Sequence, residues 1–262
     1  MIFEGIESFR RQLAAGEVLL GAGIAFTDPQ VSDALAPTAD FLWIDLEHAA
    51  MSMEAMRGHL LSARAHRKGA VVRVPSSDTA FIKPVLDSGA PGIVVPQVTS
   101  AQEVADVVAD CRYPPGGERG FGPHVPSGYG RDGGSDFVAR SDRSLFVSVM
   151  IEHRDAVEAI DDIVSVEGLD AVVLGPYDLS GSLGLLGEVG HPTVVSAMEK
   201  VLAAARDRGL PVGSGMPVDA EFAMLQASRG VQWLQIGGDC RYMAQGADDI
   251  FAEIRARLKS LS

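Results

Sequence analysis

The most constraining feature of the sequence is a regular alternation of short apolar runs with helical patterns along the whole chain. Each run is continuously apolar, which is typical of parallel strands that are buried on both faces. Eight strands are predicted, over Val18–Phe26, Phe41–Leu46, Ala70–Val74, Gly92–Pro96, Leu145–Ile151, Ala171–Leu174, Leu210–Gly213 and Trp233–Ile236. Helices are predicted between them, over Ser52–Arg67, Thr79–Ser88, Ser100–Asp110, Ala156–Val164, Val194–Arg208 and Asp219–Ser228.

The number of strands and the chain length together favour a closed barrel. At 262 residues the chain has the size of one (β/α)8 barrel. An open doubly wound sheet is the alternative, but no GxGxxG fingerprint follows the first strand. We therefore expect residues 1–262 to form a single α/β domain with the (β/α)8, or TIM-barrel, fold.

One segment, residues 112–143, interrupts the alternation with a run rich in glycine and proline. A loop of this length inside a compact domain is usually an active-site lid, an oligomer contact or a disordered stretch. Its aromatic and arginine side chains, Arg119, Phe121, Tyr129 and Arg131, favour an ordered loop. We expect this loop to contribute to the active site or to an oligomer contact.

Composition excludes several classes of partner. The formal net charge of −13 disfavours nucleic acid and anionic membranes. No apolar run approaches the ~20 residues of a membrane span, and the N-terminus lacks a signal-peptide pattern. Cys111 and Cys240 lie far apart without metal-type spacing, which indicates reduced thiols and a cytoplasmic protein.

Ionisable and polar side chains follow most of the predicted strands. In a parallel barrel the chemistry takes place where the strands run into the loops that follow them. The residues at these exits are Asp45, Glu47, His48, Arg73, Gln97, Glu152, His153, Asp178 and Ser214. Two acids on adjacent strands, an imidazole and an arginine indicate a metal site that handles an anion.

Glu152 and Asp178 are the predicted metal ligands, because Mg2+ and Mn2+ prefer carboxylate oxygens and keep positions open for water or substrate. Alone, either acid could instead be a helix-start or turn residue. His48 is the candidate general base, since imidazole titrates near neutral pH. Arg73, at the end of a buried strand, requires an anion, which is either a substrate group or an internal partner such as Asp45.

Other residues narrow the chemistry. His59 and His66 are predicted to lie on the solvated face of one helix. The four lysines all fall in or beside predicted helices, so a Schiff-base mechanism is disfavoured. No nucleophile constellation such as Gly-x-Ser-x-Gly is present, which leaves metal chemistry.

Several motifs, in the correct order over almost the whole chain, resemble those of the metal-dependent class II pyruvate aldolases. This family includes 4-hydroxy-2-oxoheptanedioate aldolase, 2-dehydro-3-deoxyglucarate aldolase and macrophomate synthase, within the aldolase–citrate lyase superfamily. The motifs lie at 43–49, 72–75, 82–90, 95–97, 112–115 with 119–120, 151–152, and 166–170 through 175–180.

The resemblance implies an aldehyde-lyase. The expected reaction is a reversible, divalent-metal-dependent (retro-)aldol reaction of a 4-hydroxy-2-oxo acid, which gives pyruvate or a related 2-oxo acid and an aldehyde through an enolate. It implies Glu152 and Asp178 as ligands of Mg2+ or Mn2+, with Co2+ or Zn2+ also possible. Arg73 would stabilise the enolate and His48 would be the base.

The resemblance also implies an assembly and further roles. Homohexamers, built as trimers of dimers, are expected, with the C-terminal helix exchanged between subunits. Asp87 would come from the neighbouring subunit to pair with His48, while Asp45 and Glu47 would orient the base and water. Substrate contacts are expected from Arg73, Gln97, Pro176, Tyr177 and Ser214.

Two positions depart from the family pattern, and both lie beside the 2-oxo acid pocket. Met150 stands where many members have glutamine, and Tyr177 where many have alanine. A biosynthetic carbon–carbon bond-forming enzyme, similar to citrate synthase or macrophomate synthase, therefore remains an alternative. Less favoured are a phosphate-binding barrel isomerase or synthase that uses Gly237 and Gly238, and a barrel without catalytic activity.

Overall fold

The computed structural model describes residues 2–261 and confirms the (β/α)8 barrel. Eight parallel strands close in sequence order, each paired with its neighbours along the chain and the eighth with the first. The strands are β1 (Leu19–Ile24), β2 (Phe41–Asp45), β3 (Gly69–Arg73), β4 (Gly92–Val95), β5 (Phe146–Ile151), β6 (Ala171–Leu174), β7 (Val212–Met216) and β8 (Trp233–Gly238). All eight predicted strands are present, with ends that differ by up to three residues.

Twelve helices surround the barrel within residues 2–261. They are α1 (Glu4–Ala14), α2 (Gln30–Leu35), α3 (Met53–Ala65), α4 (Thr79–Asp87), α5 (Ala101–Cys111), α6 (Gly134–Ser144), α7 (Arg154–Glu158), α8 (Ile160–Ile163), α9 (Pro176–Ser182), α10 (Pro192–Asp207), α11 (Ala220–Ser228) and α12 (Asp239–Lys259). In the described part of the chain, no helix is both long and apolar enough to cross a membrane.

Three long helices, α1, α6 and α12, lie outside the predicted helical stretches. Helix α6 begins at Gly134, so the irregular part of the predicted 112–143 loop is shorter than expected. Its pattern is weak in the sequence because it starts within a glycine pair, Gly133 and Gly134, and because Phe137 is its one buried large apolar residue. Part of this predicted loop is therefore a regular helix.

An aromatic cluster fills the N-terminal end of the barrel. Phe9, on α1, lies 5.2 Å from Phe41, 5.4 Å from Phe146 and 5.8 Å from Trp233, measured between ring centroids. The rings meet edge to face, the arrangement that aromatic quadrupoles favour. Because α1 and these rings close one end, the barrel interior opens only at the C-terminal ends of the strands.

Two glycines make room for these rings. A Cβ atom added at Gly21 would lie 2.2 Å from the Phe41 ring, and one at Gly213 would lie 2.3 Å from the Trp233 ring. Both distances are far below van der Waals contact. The large aromatic residues in the barrel therefore depend on glycines in the neighbouring strands.

We expect Gly213→Ala to lower the free energy of unfolding by about 1–3 kcal/mol, because the new methyl group overpacks a buried ring. Urea denaturation followed by far-UV circular dichroism measures this difference. Gly190→Ala is the matched control, since a Cβ there meets nothing within 4 Å. Equal denaturation midpoints for the two variants would contradict this account of the core.

Candidate active site

Asp45 and Arg73 project from adjacent strands into the lumen of the barrel. They are register partners at the C-terminal ends of β2 and β3. Side chains alternate between the two faces of a strand, so Asp45 shares the inner face with Trp43, and Arg73 shares it with Val71. Trp43 and Val71 both belong to the interior cluster. The two charged side chains therefore lie directly above the apolar interior.

Arg73 is held by two carboxylates. Its Nε and Nη2 donate to Asp45 Oδ1 and Oδ2 at 2.9 and 2.6 Å, and its Nη1 lies 3.0 Å from Glu47 Oε2. The guanidinium carbon also lies 5.8 Å from the centre of the Trp43 ring. The internal partner considered from the sequence is thus present. Because a guanidinium has five N–H groups, two remain for a substrate anion.

Glu47 links Arg73 to the candidate base. Its Oε2 lies 3.5 Å from His48 Nε2, and its Oε1 accepts a hydrogen bond of 3.3 Å from the side chain of Gln97. The His48 side chain is 62% exposed, whereas that of Glu47 is 9% exposed. The imidazole therefore lies at the open mouth, and the carboxylate beside it lies deeper.

Glu152 lies at the end of β5 and is only 5% exposed. Its Oε1 accepts a 2.7 Å hydrogen bond from the backbone N–H of Gln97. Burial, together with the nearby charges of Asp178 and Glu47, raises the pKa of Glu152 to about 7, although Gln97 and Arg73 act in the opposite direction. Burial and the neighbouring carboxylates therefore outweigh the positive charge of Arg73 at this position.

The backbone around Glu152 is shaped for close approach. Gln97 is a non-glycine residue with a φ of 58°, in the left-handed region. This conformation accompanies the N–H contact with Glu152 and the side-chain contact with Glu47. A Cβ atom at Gly175 would lie 2.5 Å from Glu152 Oε2, so only glycine fits there. Strained or crowded backbone of this kind is common at functional sites.

The donors present fit a divalent cation. Glu152 and Asp178 line one cavity of about 440 Å3, together with Gln97. Within residues 2–261 no group of three or more His, Cys, Asp or Glu side chains could hold a metal alone. Two carboxylates would leave positions for water and substrate oxygens, as hard cations allow. A cation would also offset the crowding of negative charge that raises the pKa of Glu152.

Pro176 and Tyr177 lie beside this cavity, in the first turn of α9, which also carries Asp178. Pro176 is buried, whereas Tyr177 is 47% exposed. Tyr177 is therefore accessible to solvent. Of these three residues, Asp178 lines the cavity together with Gln97 and Glu152.

Ser214 and Asp87 do not join this group within one chain. Ser214 lies on the outer face of β7, where its hydroxyl donates to the carbonyl of Leu174 at 3.3 Å. Asp87 is the last residue of α4, which runs back towards the N-terminal end of the barrel. Its Oδ1 lies 2.8 Å from Arg119 Nη2. Arg119 is itself buried, with a side chain that is 2% exposed. The outward register of Ser214 could not be seen without the strand boundaries.

His59 corrects the prediction of a solvated face. It is fully buried, with Nδ1 2.8 Å from the hydroxyl of Ser32 and Nε2 3.0 Å from the carbonyl of Phe26. Burial lowers its pKa, although the Phe26 carbonyl acts in the opposite direction. His59 therefore fastens the loop after β1 to α3, while His66 pairs with Asp33 near the surface.

Gln235 is a lumen residue that the sequence did not reveal. Its amide lies between β1 and β7, because a Cβ at Gly23 would lie 2.6 Å from Gln235 Nε2 and one at Gly215 would lie 3.0 Å from Gln235 Oε1. It also bonds the carbonyl of Gly237. The sequence feature that indicates it is the pair of glycines at alternate positions of each neighbouring strand, which leave space beside a long side chain. They are Gly21 and Gly23 in β1 and Gly213 and Gly215 in β7.

The fold and the lumen together define a barrel enzyme with its reactive groups at the C-terminal ends of the strands. The chain belongs to the HpcH/HpaI aldolase/citrate lyase family, whose family model matches residues 26–245. This match confirms the relationship inferred from the motifs, and the chain is a lyase of the aldolase type.

Curated relatives cover nearly the full length. The chain is 33% identical to the hydroxypyruvate/pyruvate aldolase of Roseovarius nubinhibens, over 95% of this chain and 96% of the relative. It is 36% identical to the 4-hydroxy-2-oxovalerate aldolase of Rhodococcus jostii, over 92% and 93%. Among solved structures, macrophomate synthase superposes with a TM-score of 0.85 at 27% identity, over 99% of this chain and 91% of that one.

Proposed function

We propose that this chain catalyses the reversible, divalent-metal-dependent aldol cleavage of a 4-hydroxy-2-oxo acid to pyruvate, or a related 2-oxo acid, and an aldehyde. The observation that carries the proposal is the lumen itself, where one guanidinium, one imidazole and the carboxylates of Asp45, Glu47, Glu152 and Asp178 surround an open mouth. The names of the relatives, a hydroxypyruvate/pyruvate aldolase and a 4-hydroxy-2-oxovalerate aldolase, support the same class of substrate.

Glu152 and Asp178 would hold the cation, Mg2+ or Mn2+ by donor chemistry, with Co2+ or Zn2+ as further candidates. When bound, the cation supplies a Lewis acid that polarises the oxygens of the 2-oxo acid. Gln97 keeps Glu152 in position through its backbone N–H. The cavity that these residues line is large enough for a small 2-oxo acid.

Arg73 supplies a fixed positive charge to the C2 oxygen of the substrate. When the C3–C4 bond breaks, its electron pair moves towards C2 and negative charge develops on that oxygen. The two N–H groups of Arg73 that remain unused can donate to it, while Asp45 and Glu47 prevent the guanidinium from turning. Such preorganised donors stabilise a transition state more than a flexible group would.

His48 removes the proton from the C4 hydroxyl, so that the C4–O bond can become a carbonyl as the C3–C4 bond breaks. Glu47, 3.5 Å away, orients the ring and stabilises the imidazolium that forms. The enolate then takes up a proton at C3 to become the 2-oxo acid, which balances the proton lost from the hydroxyl. In the synthetic direction His48 takes the C3 proton and the imidazolium gives it to the new hydroxyl.

Chelation tests the metal assignment. We expect dialysis against a chelator to abolish the release of pyruvate from a 4-hydroxy-2-oxo acid, and Mn2+ or Mg2+ to restore it, with pyruvate measured through lactate dehydrogenase. Borohydride treatment in the presence of pyruvate should leave no covalent adduct. Full activity in excess chelator, or a trapped lysine adduct, would exclude the proposed mechanism.

A carbon–carbon bond-forming role in biosynthesis is the second candidate. Met150, buried in the barrel interior, offers no hydrogen bond where many family members have glutamine. The structural similarity to macrophomate synthase is compatible with this role. Incubation with oxaloacetate, pyruvate and a panel of aldehydes, followed by product analysis, distinguishes the two. A phosphate-binding role is disfavoured, because the buried Asp239 carboxylate lies beside Gly238 and already accepts the backbone N–H groups of Ala25, Phe26 and Cys240.

We infer that the active form is an oligomer. Helix α12 is 21 residues long and almost wholly exposed, with an uncovered apolar set of Met243, Ile250, Phe251, Ile254 and Leu258. Apolar surface of this extent on one helix is typical of an interface. An exchange of this helix between subunits, within a hexamer built as a trimer of dimers, would cover it.

An oligomer would also allow Asp87 to act. Within one chain this residue lies at the far end of α4 and contacts Arg119, so a second copy would have to bring an Asp87 to His48. We expect His48→Ala and Asp87→Asn to be inactive separately and to regain activity when mixed under conditions of subunit exchange. A hybrid then contains one site with both native residues. No recovery in verified hybrids would exclude this sharing.

A further inference from the structure

A second cavity lies at the opposite end of the barrel from the candidate active site. It has a volume of about 570 Å3 and lies between α1, the turn that leads into β7 and the turn that leads into β8. Three arginines line it, Arg10, Arg206 and Arg229, and the one acidic residue in its lining is Asp170. This excess of positive charge stands out in a chain with a net charge of −13.

Asp170 does not balance these arginines. Its Oδ2 is 2.8 Å from Arg10 Nη2 and 3.3 Å from Arg112 Nη2, and it also accepts from the backbone N–H of Val147 at 2.8 Å. One carboxylate is therefore shared by two guanidinium groups and a backbone amide. Its negative charge is therefore already paired within the wall of the cavity and does not neutralise Arg206 or Arg229.

Arg10 retains unused donor capacity. Its Nη2 also donates to the carbonyl of Leu145 at 2.7 Å, and its guanidinium carbon lies 5.2 Å from the centre of the Phe146 ring. Its Nε is buried and has no hydrogen-bond partner within residues 2–261. A buried donor without a partner carries a desolvation cost that a ligand oxygen would remove.

Arg206 and Arg229 approach the cavity from two other elements, the last turn of α10 and the end of α11. Neither makes an ion pair with any residue in the described part of the chain. The rest of the lining includes the apolar side chains of Leu13, Leu202 and Leu210. Cationic groups next to an apolar surface favour the binding of an anion over the filling of the cavity by water alone.

We propose that this cavity, lined by Arg10, Arg206 and Arg229, binds a small doubly charged oxyanion, either a dicarboxylate or a phosphate. The planar guanidinium fork pairs with both groups through two parallel hydrogen bonds. A volume of about 570 Å3 is within the usual range for small-molecule sites. The cavity is separated from Glu152 and Asp178 by the aromatic cluster, so this site is distinct from the one proposed for catalysis.

Calorimetric titration of the metal-free protein with succinate and, separately, with inorganic phosphate tests the proposal. Metal is removed with chelator beforehand and the chelator, itself a polycarboxylate, is then removed by desalting, so the candidate active site cannot hold either anion through a cation. We expect Arg206→Ala combined with Arg229→Ala to weaken the binding by about tenfold or more, the scale of one lost charge-assisted contact. Arg208→Ala is the matched control, because it lies two residues from Arg206 and outside the lining.

Thermal unfolding without anion verifies that the double variant is folded, and unchanged binding to an Arg73→Ala protein verifies that the binding does not occur at the active site. Preferred binding of succinate identifies a dicarboxylate site, and preferred binding of phosphate identifies a phosphate site. The proposal is overturned if neither anion binds at about 10 mM. It is also overturned if the double variant binds as tightly as the Arg208→Ala control.

Discussion

Glu152→Gln should reduce retro-aldol activity by about a thousandfold, because a Lewis acid contributes several kcal/mol to such a reaction and the amide is a much weaker ligand than the carboxylate. The substitution preserves the shape of the side chain, which is buried against Gly175. Calorimetric titration with Mn2+ should show a matching loss of affinity. Steady-state rates at saturating Mn2+ measure the loss of activity that remains when the site is filled with metal.

The same substitution has an opposite effect on stability. The folded-state pKa of Glu152 is about 7, above the ordinary value of 4.5. The folded metal-free protein therefore binds more protons than the unfolded chain between these values, and its stability falls as pH rises through that range. The loss is about 3 kcal/mol in total. Glu152→Gln removes this loss, so the metal-free variant should be more stable than the parent above pH 7.

Glu158→Gln is the matched control, an identical substitution at an exposed residue of α7. It should change neither the activity nor the pH profile of unfolding. The metal assignment would be contradicted if Glu152→Gln bound Mn2+ as tightly as the parent. A parallel loss of activity in Glu158→Gln would indicate a non-specific effect.

Arg73→Ala should be the most destabilising of the charge-removing substitutions in the site. It leaves the side chains of Asp45 and Glu47, 14% and 9% exposed, without their cation. Removing one partner of a buried ion pair typically costs about 3–5 kcal/mol. Because the fixed positive charge is also lost, we expect kcat/KM to fall by about a thousandfold. Urea denaturation and steady-state kinetics measure the two effects.

Arg73→Lys separates charge from geometry. The ammonium keeps the positive charge but cannot reproduce the fork that binds both oxygens of Asp45, so stability should recover more than activity. Arg67→Ala, which breaks an exposed 3.7 Å contact with Glu4, should cost less than about 1 kcal/mol. An equal loss of unfolding free energy in Arg67→Ala and Arg73→Ala would show that the lumen ion pairs stabilise the fold no more than an exposed pair does.

The strands could be predicted because each is a continuous apolar run, and the strand exits then indicated where the polar side chains would meet. The pairing of Asp45 with Arg73 follows from the parallel register, in which both end adjacent strands. The sequence patterns of helices α1 and α12 are weaker predictors of a helix. Their apolar residues are sparse, and much of the apolar face of α12 is exposed in a single chain.

The surroundings of Ser214 and His59 could not be predicted, because they depend on the direction in which each side chain points. Ser214 is one position away from an inward-facing residue, and a shift of one residue reverses the face of a strand. His59 lies on a polar helix pattern, yet its two ring nitrogens are satisfied by Ser32 and Phe26 from other segments. Neither partner could be identified before the loop after β1 was placed beside α3.

The aromatic cluster that closes the N-terminal end of the barrel imposes an order of events. Since the interior opens at one end, everything that reacts must enter and leave through the same mouth. Glu152 lies deep and His48 lies at the rim, so in the proposed reaction the 2-oxo acid occupies the inner position and the aldehyde the outer one. The aldehyde therefore departs first, and the 2-oxo acid, first to arrive in synthesis, is last to leave in cleavage.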